Sequence, residues 1–427
     1  MKKICGFIVI ILLWSGWSTR LTGQDYAHIL FSDQEYAGGL SGIKFSVAER
    51  PFTRPIITLN SDEQLVLEFD DLEEESRYLK YKLIHCTYNW QPSSLLPIEY
   101  LTGFMEDEIT DVSSSFANSV FYMHYRLALP NGMIQLTKSG NYLLFVYDDT
   151  EDNPILTRRL MVKEPVSVSI TGAVHQATDV SNMQKQQEVD FVVRTGSYVV
   201  NNPAAYLHAT ILQNGRWDNA IQGLIYRYGK PGEYSFDYDD GKNCFNGGSE
   251  FRTFDIRSLR YNSNRIVSIS FQNRVYHAFI VEDIARPFGA YESNSTLRGS
   301  CYFKNEDFDG ENREEYAATH FALHADFPIR DGDVYVFGEL TNWRISEEAK
   351  LTYNESSNYY ETKLFLKQGY YNYQYVYVKS GSSRIDETYI EGSHWQTDNE
   401  YTVLIYLQEE GSSYDKLVGV TYFSIAN

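Results

Sequence analysis

Side chains able to do chemistry are plentiful in this chain but scattered. Its 427 residues include 57 Asp and Glu, 9 His and 4 Cys. A hydrolase serine would sit in G-x-S-x-G, a zinc protease would space its histidines as H-E-x-x-H, and phosphate chemistry would need a glycine-rich loop closed by Lys and Ser or Thr. None of these patterns occurs. Two carboxylates hydrolysing a glycoside are paired by their separation in space, and nothing along the chain selects any two. Nearest to a metal motif is Asn305-Glu306-Asp307-Phe308-Asp309-Gly310. Its oxygens have calcium-loop offsets, but Tyr316 stands where the bidentate Glu should be. Tyr234 to Ser249 clusters acids with glycines and lacks that ligand spacing altogether, so both segments read as solvated loops. The expectation is a non-enzymatic protein with no metal and no cofactor.

The elements that would position any site read as β-strands. In Phe121-Met123-Tyr125-Leu127-Leu129 the apolar residues share one parity, and a two-residue repeat sends them to one face. Pro130-Asn131-Gly132 supplies turn chemistry, and Asn141 to Tyr147 forms the next strand. With 35 Tyr and 24 Phe against 11 Pro, the chain has the aromatic richness that strands favour. The fold class expected is all-β, built as tandem antiparallel β-sandwiches of the immunoglobulin or early-set kind.

At the start, Lys2 and Lys3 precede an apolar run from Phe7 to Trp14, then small and polar residues up to Gly23. That is a signal-peptide pattern over residues 1–23. The run is shorter than the roughly 20 residues of a spanning helix, so no membrane span is expected. A formal charge of −20 argues against nucleic acid and anionic membrane as partners. Beyond the leader, Cys86, Cys244 and Cys301 leave open either a Cys244–Cys301 disulfide or three buried thiols.

The divisions expected are a first sandwich over 24–165, a second over 166–312 and a third over 313–427. Inside the first lies a long ordered loop, 89–119, too long for a hairpin connection and too apolar for disorder. Trp90, Tyr100 and Phe104 belong to it. It either folds over the sandwich or presents itself to a partner.

Several fragments in order resemble the type IX secretion system plug family: NWQPS (Asn89–Ser93), EYLTGF (Glu99–Phe104), EDEITD (Glu106–Asp111), HYR (His124–Arg126), TKSGNYLL (Thr137–Leu144), VYDD (Val146–Asp149) and LTRRLMV (Leu156–Val162). EGSHWQ (Glu391–Gln396) and YDKLVGV (Tyr414–Val420) extend the resemblance towards the C-terminus. It implies a periplasmic protein, peripheral at the inner side of the outer membrane, that binds the translocon barrel and closes its pore by steric occlusion. A second resemblance is local. VYVFGELTNW (Val334–Trp343) with YYETKLFLKQGYYNYQYVYV (Tyr359–Val378) is similar to glycogen-binding early-set sandwiches. In that family the tryptophan stacks on sugar, which would make Trp343 the platform of a carbohydrate-binding protein. The family's lysine falls at Gln374 here, so the sugar reading ranks second. Tyr371, Tyr373, Tyr375 and Tyr377 share a parity, either as a strand buried on both sides or as a ladder offered to a partner. Candidate partner-binding residues are thus Trp90, Tyr100, Phe104, Trp343 and Tyr371.

Overall fold

The computed structural model describes residues 26–73 and 76–425. The proposed signal peptide lies outside the described residues.

Three sandwiches are present, and their strands do not follow the chain in three consecutive blocks. In the first, strands Leu40–Val47, Leu65–Asp71, Met123–Leu129 and Asp111–Ser114 form one sheet. Strands Leu79–Cys86, Gly140–Asp148 and Pro154–Lys163 face it from a larger sheet. Alternation dictates the filling: Leu65, Leu67, Phe69, Tyr125, Leu127 and Leu129 meet Tyr81, Leu83, Tyr142, Leu144 and Val146 in one core. Tyr125, Leu127 and Leu129 keep the expected parity. Phe121 departs from it, since it precedes the strand and is exposed.

The larger sheet does not stop at the first sandwich. Pro154–Lys163 meets Lys416–Ser424 in parallel through Lys163 and Leu417, and that strand pairs with Glu400–Leu407. Glu400–Leu407 then pairs with Leu207–Gln213 over seven consecutive residues, from Leu207↔Leu407 to Gln213↔Tyr401. This C-terminal hairpin supplies Tyr401, Val403 and Ile405 to the core of the second sandwich, opposite Val189, Phe191 and Val193.

The third sandwich is therefore inserted within the second. Arg252–Asp255 pairs with Gly369–Lys379, as do Cys301–Phe303 and Gly332–Phe337. Facing them is a sheet ordered Ile266–Gln272, Val275–Ile280, Tyr316–His324, Tyr359–Lys367, Thr352–Asn354. The expected division at 312/313 does not coincide with a division between sheets. The physical reason is that Leu207–Gln213 and Arg252–Asp255 each leave an edge that only a strand from beyond residue 360 fills.

Candidate docking surface

The loop 89–119 folds over the first sandwich and leaves a short apolar crest in solvent. It opens with a turn, the Trp90 amide donating to the Thr87 carbonyl at 3.0 Å. The Trp90 ring goes inward at 2 % exposure, edge-on to Trp217 at 5.0 Å and 4.8 Å from the Arg159 guanidinium. A single helical turn, Pro97–Tyr100, starts at proline, whose fixed φ suits a first helical position. It drives Tyr100 into the core, where the hydroxyl donates to the Leu83 carbonyl at 3.2 Å. Leu101–Gly103 pairs with Ile134–Leu136 as a separate ribbon. Glu106–Glu108 then adds to the edge of Leu79–Cys86, and Asp111–Ser114 to Met123–Leu129.

Phe104 lies just past that ribbon, its amide donating to the Met133 carbonyl at 2.9 Å. Phe104 is 59 % exposed, and Met105 and Met133 are exposed beside it in sequence and register. Leu96 and Ile98, flanking the helical turn, are exposed as well, Ile98 at 76 %. Gly103 holds the ribbon with φ +99°, and a Cβ there would meet the Met133 carbonyl oxygen at 2.0 Å. The sequence counts Leu96 and Ile98 in the loop's apolar surface, yet as contact candidates it offers Phe104 and neither of these nor Met133. Their signal was present: apolar residues interleaved with Pro97 and Glu99, and a methionine directly after an Asn-Gly turn.

The other candidate contacts are corrected by burial. Trp90 and Tyr100 are core residues, held by the packing just described. Tyr371 is 1 % exposed, stacked on Phe254 at 4.9 Å, with its hydroxyl donating to the Lys367 carbonyl. Tyr373 and Tyr375 are equally buried and both donate to Asp283, so the tyrosines fill a core and no ladder is offered outward. Trp343 is half-buried, edge-on to Phe251 and Phe337, and the Arg216 guanidinium stands 4.5 Å from its ring. The Arg216 guanidinium occupies one face of the ring, and the sugar reading has no support.

Several acids and bases that sequence leaves unassigned form structural pairs. Arg252 bridges Asp283 at 2.7 Å and Glu391 at 2.9 Å. Arg216 joins Glu387 at 2.7 Å. Lys44 joins Glu339 at 2.6 Å. Burial alone would raise the Glu391 carboxyl, but Arg252 and Arg286 outweigh it and hold it below the usual carboxylate range. His85 is buried with Nε2 3.1 Å from the Ser139 carbonyl, and burial pushes its pKa down to about 4. In the calcium-like loop, Asn305 Oδ1 accepts the amides of Asp307 and Phe308, and Asp307 accepts from the Leu259 amide at 2.8 Å. Among the described residues no three His, Cys, Asp or Glu come together as a metal group. Cys86, Cys244 and Cys301 are free thiols, so the disulfide alternative falls; burial raises the Cys301 thiol to about 12. No helix among the described residues is long and apolar enough to cross a membrane.

Comparison with known proteins adds a class to this geometry. Residues 40–164, the first sandwich with its crest, match the family model described as Type 9 secretion system plug protein 1st domain. The fold is also that of a crystal structure of a hypothetical protein from Parabacteroides merdae ATCC 43184. The two share 34% identity and a TM-score of 0.87, over 93% of this chain and 100% of that one. No curated protein matches the chain. Over residues 40–164 the chain carries the first domain of the type IX secretion system plug family. That domain implies a plug-type role in type IX secretion and a periplasmic or envelope-associated location.

Proposed function

We propose that this protein seats on the periplasmic mouth of the outer-membrane translocon barrel and closes it by bulk, without covalent chemistry. The observation that carries the reading is where the family match falls. It covers the sandwich whose long loop, with Met133 from the neighbouring turn, forms the crest of Phe104, Met105 and Met133. Exposed apolar residues grouped on a rigid scaffold mark interaction sites in an otherwise polar surface.

A stopper must also resist deformation, and the pairing between sandwiches gives that. The hairpin Glu400–Ser424 ties second to first, and the buried pair Asp70–Lys367 with the half-buried pair Lys44–Glu339 ties first to third. In this reading Asp283, Glu387 and Glu391 do structural work, paired with Arg252 and Arg216. Co-purification tests it: the intact chain is captured by the purified barrel, and Phe104→Ser with Met133→Ser lowers capture at least tenfold while the unfolding midpoint stays in place. Equal capture of both proteins, or none of either, refutes it.

A further inference from the structure

We infer that strand Ile266–Gln272 is an open acceptor for an extended segment of another protein, which adds to the third sandwich as an extra strand. This strand, IVSISFQ, ends the sheet, with Val275–Ile280 its one neighbour. The two-residue Asn273-Arg274 turn, with φ of 51° and 65°, sets the hairpin register Gln272↔Val275. Val267 and Phe271 are exposed on this edge, at 58 % and 55 %.

Sheet edges left bare invite foreign strands, and proteins blunt them by shortness, charge or cover. Every other edge here is blunted in one of these ways. Thr352–Asn354 and Tyr228–Lys230 have three residues each, and Ile221–Leu224 and Asp111–Ser114 four. Glu106–Glu108 is all acid. Three longer edges are covered. Lys44 of Leu40–Val47 reaches the Cys301 carbonyl at 2.6 Å, Ser169–Gln176 is bridged at Val174 to Ile425, and Gly332–Phe337 is bridged at Tyr335 to Lys350. Among the described residues Ile266–Gln272 is a long, uncharged edge. It is bulged between Ile266 and Ser268 and capped at Val267, whose carbonyl accepts the Asn262 side-chain amide at 2.7 Å. Residues 268–272 beyond the bulge are the stretch offered to a foreign strand.

Charge selects the occupant. Across Ile266–Ile280 the only ionised side chain is Arg274, in a chain of formal charge −20. Arg274 is exposed and makes no ion pair, whereas Arg265 at the other end is held by Asp283 at 2.6 Å. A second copy paired antiparallel would bring Arg274 of each chain against Arg265 of the other and set two strongly acidic bodies side by side. A segment with alternate apolar residues and a carboxylate at the Arg274 end meets the edge without either penalty. Main-chain hydrogen bonds supply affinity in such strand addition, and alternate side chains supply selectivity.

The test is a fluorescence-anisotropy titration of the full chain with labelled Thr-Val-Thr-Val-Thr-Val-Glu-Glu. The inference expects saturable binding. Affinity should fall at least tenfold when alternate amides of the peptide are N-methylated, and likewise for Ser268→Lys, whose side chain is solvent-facing and leaves folding intact. Absence of saturable binding, equal binding of the methylated peptide, or indifference to Ser268→Lys overturns it. So does sedimentation showing a dimer that Ser268→Lys abolishes, since the occupant would then be a second copy.

Discussion

Lys367 Nζ lies 2.6 Å from Asp70 Oδ2, and both side chains are shut away from solvent although 297 residues separate them. Tyr316 donates to the same oxygen at 2.7 Å, and His124 Nδ1 sits 2.7 Å from the other. Burial alone would raise the Asp70 carboxyl, but Lys367 and His124 more than offset this and hold it below its usual range. One carboxylate of the matched first sandwich is thereby fastened to the inserted third.

Removing one partner from such a buried pair strands the other. Lys367→Met is expected to cost about 3–5 kcal/mol of unfolding free energy. Adding Asp70→Asn to that variant should restore part of the loss, because no uncompensated charge remains. Urea unfolding of the single and double variants measures the difference.

Acid should loosen the first sandwich through His85. Its folded pKa of about 4 lies below the roughly 6.5 of an unfolded histidine, so the unfolded chain binds the extra proton first. The neutral histidine's contribution is whole above pH about 6.5, is lost as pH falls towards about 4, and amounts to at most about 3 kcal/mol. His85→Gln should flatten the stability profile over that window. Parallel slopes for wild type and variant would contradict the assignment.

Trp343 is expected to matter for folding and not for saccharides. Trp343→Ala removes the contacts with Phe251, Phe337 and Arg216 and should cost roughly 2–4 kcal/mol. Calorimetric titration of the wild type with maltoheptaose should show no binding heat, and a saturable signal lost in the variant would reinstate the sugar site.

Gly103→Ala should break the ribbon locally. With its Cβ directed at the Met133 carbonyl, the pairing of Leu101–Gly103 with Ile134–Leu136 cannot persist unchanged. Hydrogen exchange is expected to quicken at Phe104 and Ile134 and to stay slow along Gly140–Asp148.

How much of this was legible follows from the range of each signal. Alternation in Tyr125, Leu127 and Leu129 is local, and it identified a strand with its inner face. Fragments such as TKSGNYLL and LTRRLMV carried the family, and the family model covers that same region. The insertion of the third sandwich was not legible, because the seven pairs joining Leu207–Gln213 to Glu400–Leu407 span almost two hundred residues and leave no periodicity behind. Burial of Trp90, Tyr100 and Tyr371 was hidden for another reason. An aromatic at a strand end or in a loop reads alike whether it anchors a core or a partner, and only the neighbours Trp217, Tyr142 and Phe254 decide.

The most direct test of the stopper is electrical. Purified translocon barrels in a planar bilayer should conduct, and adding this chain to the periplasmic side should lower the conductance to baseline in a saturable way. The Phe104→Ser, Met133→Ser protein should need at least tenfold more to do the same. Conductance that persists at saturating chain, or falls equally when the chain is added to the opposite side, would contradict closure by docking at that mouth.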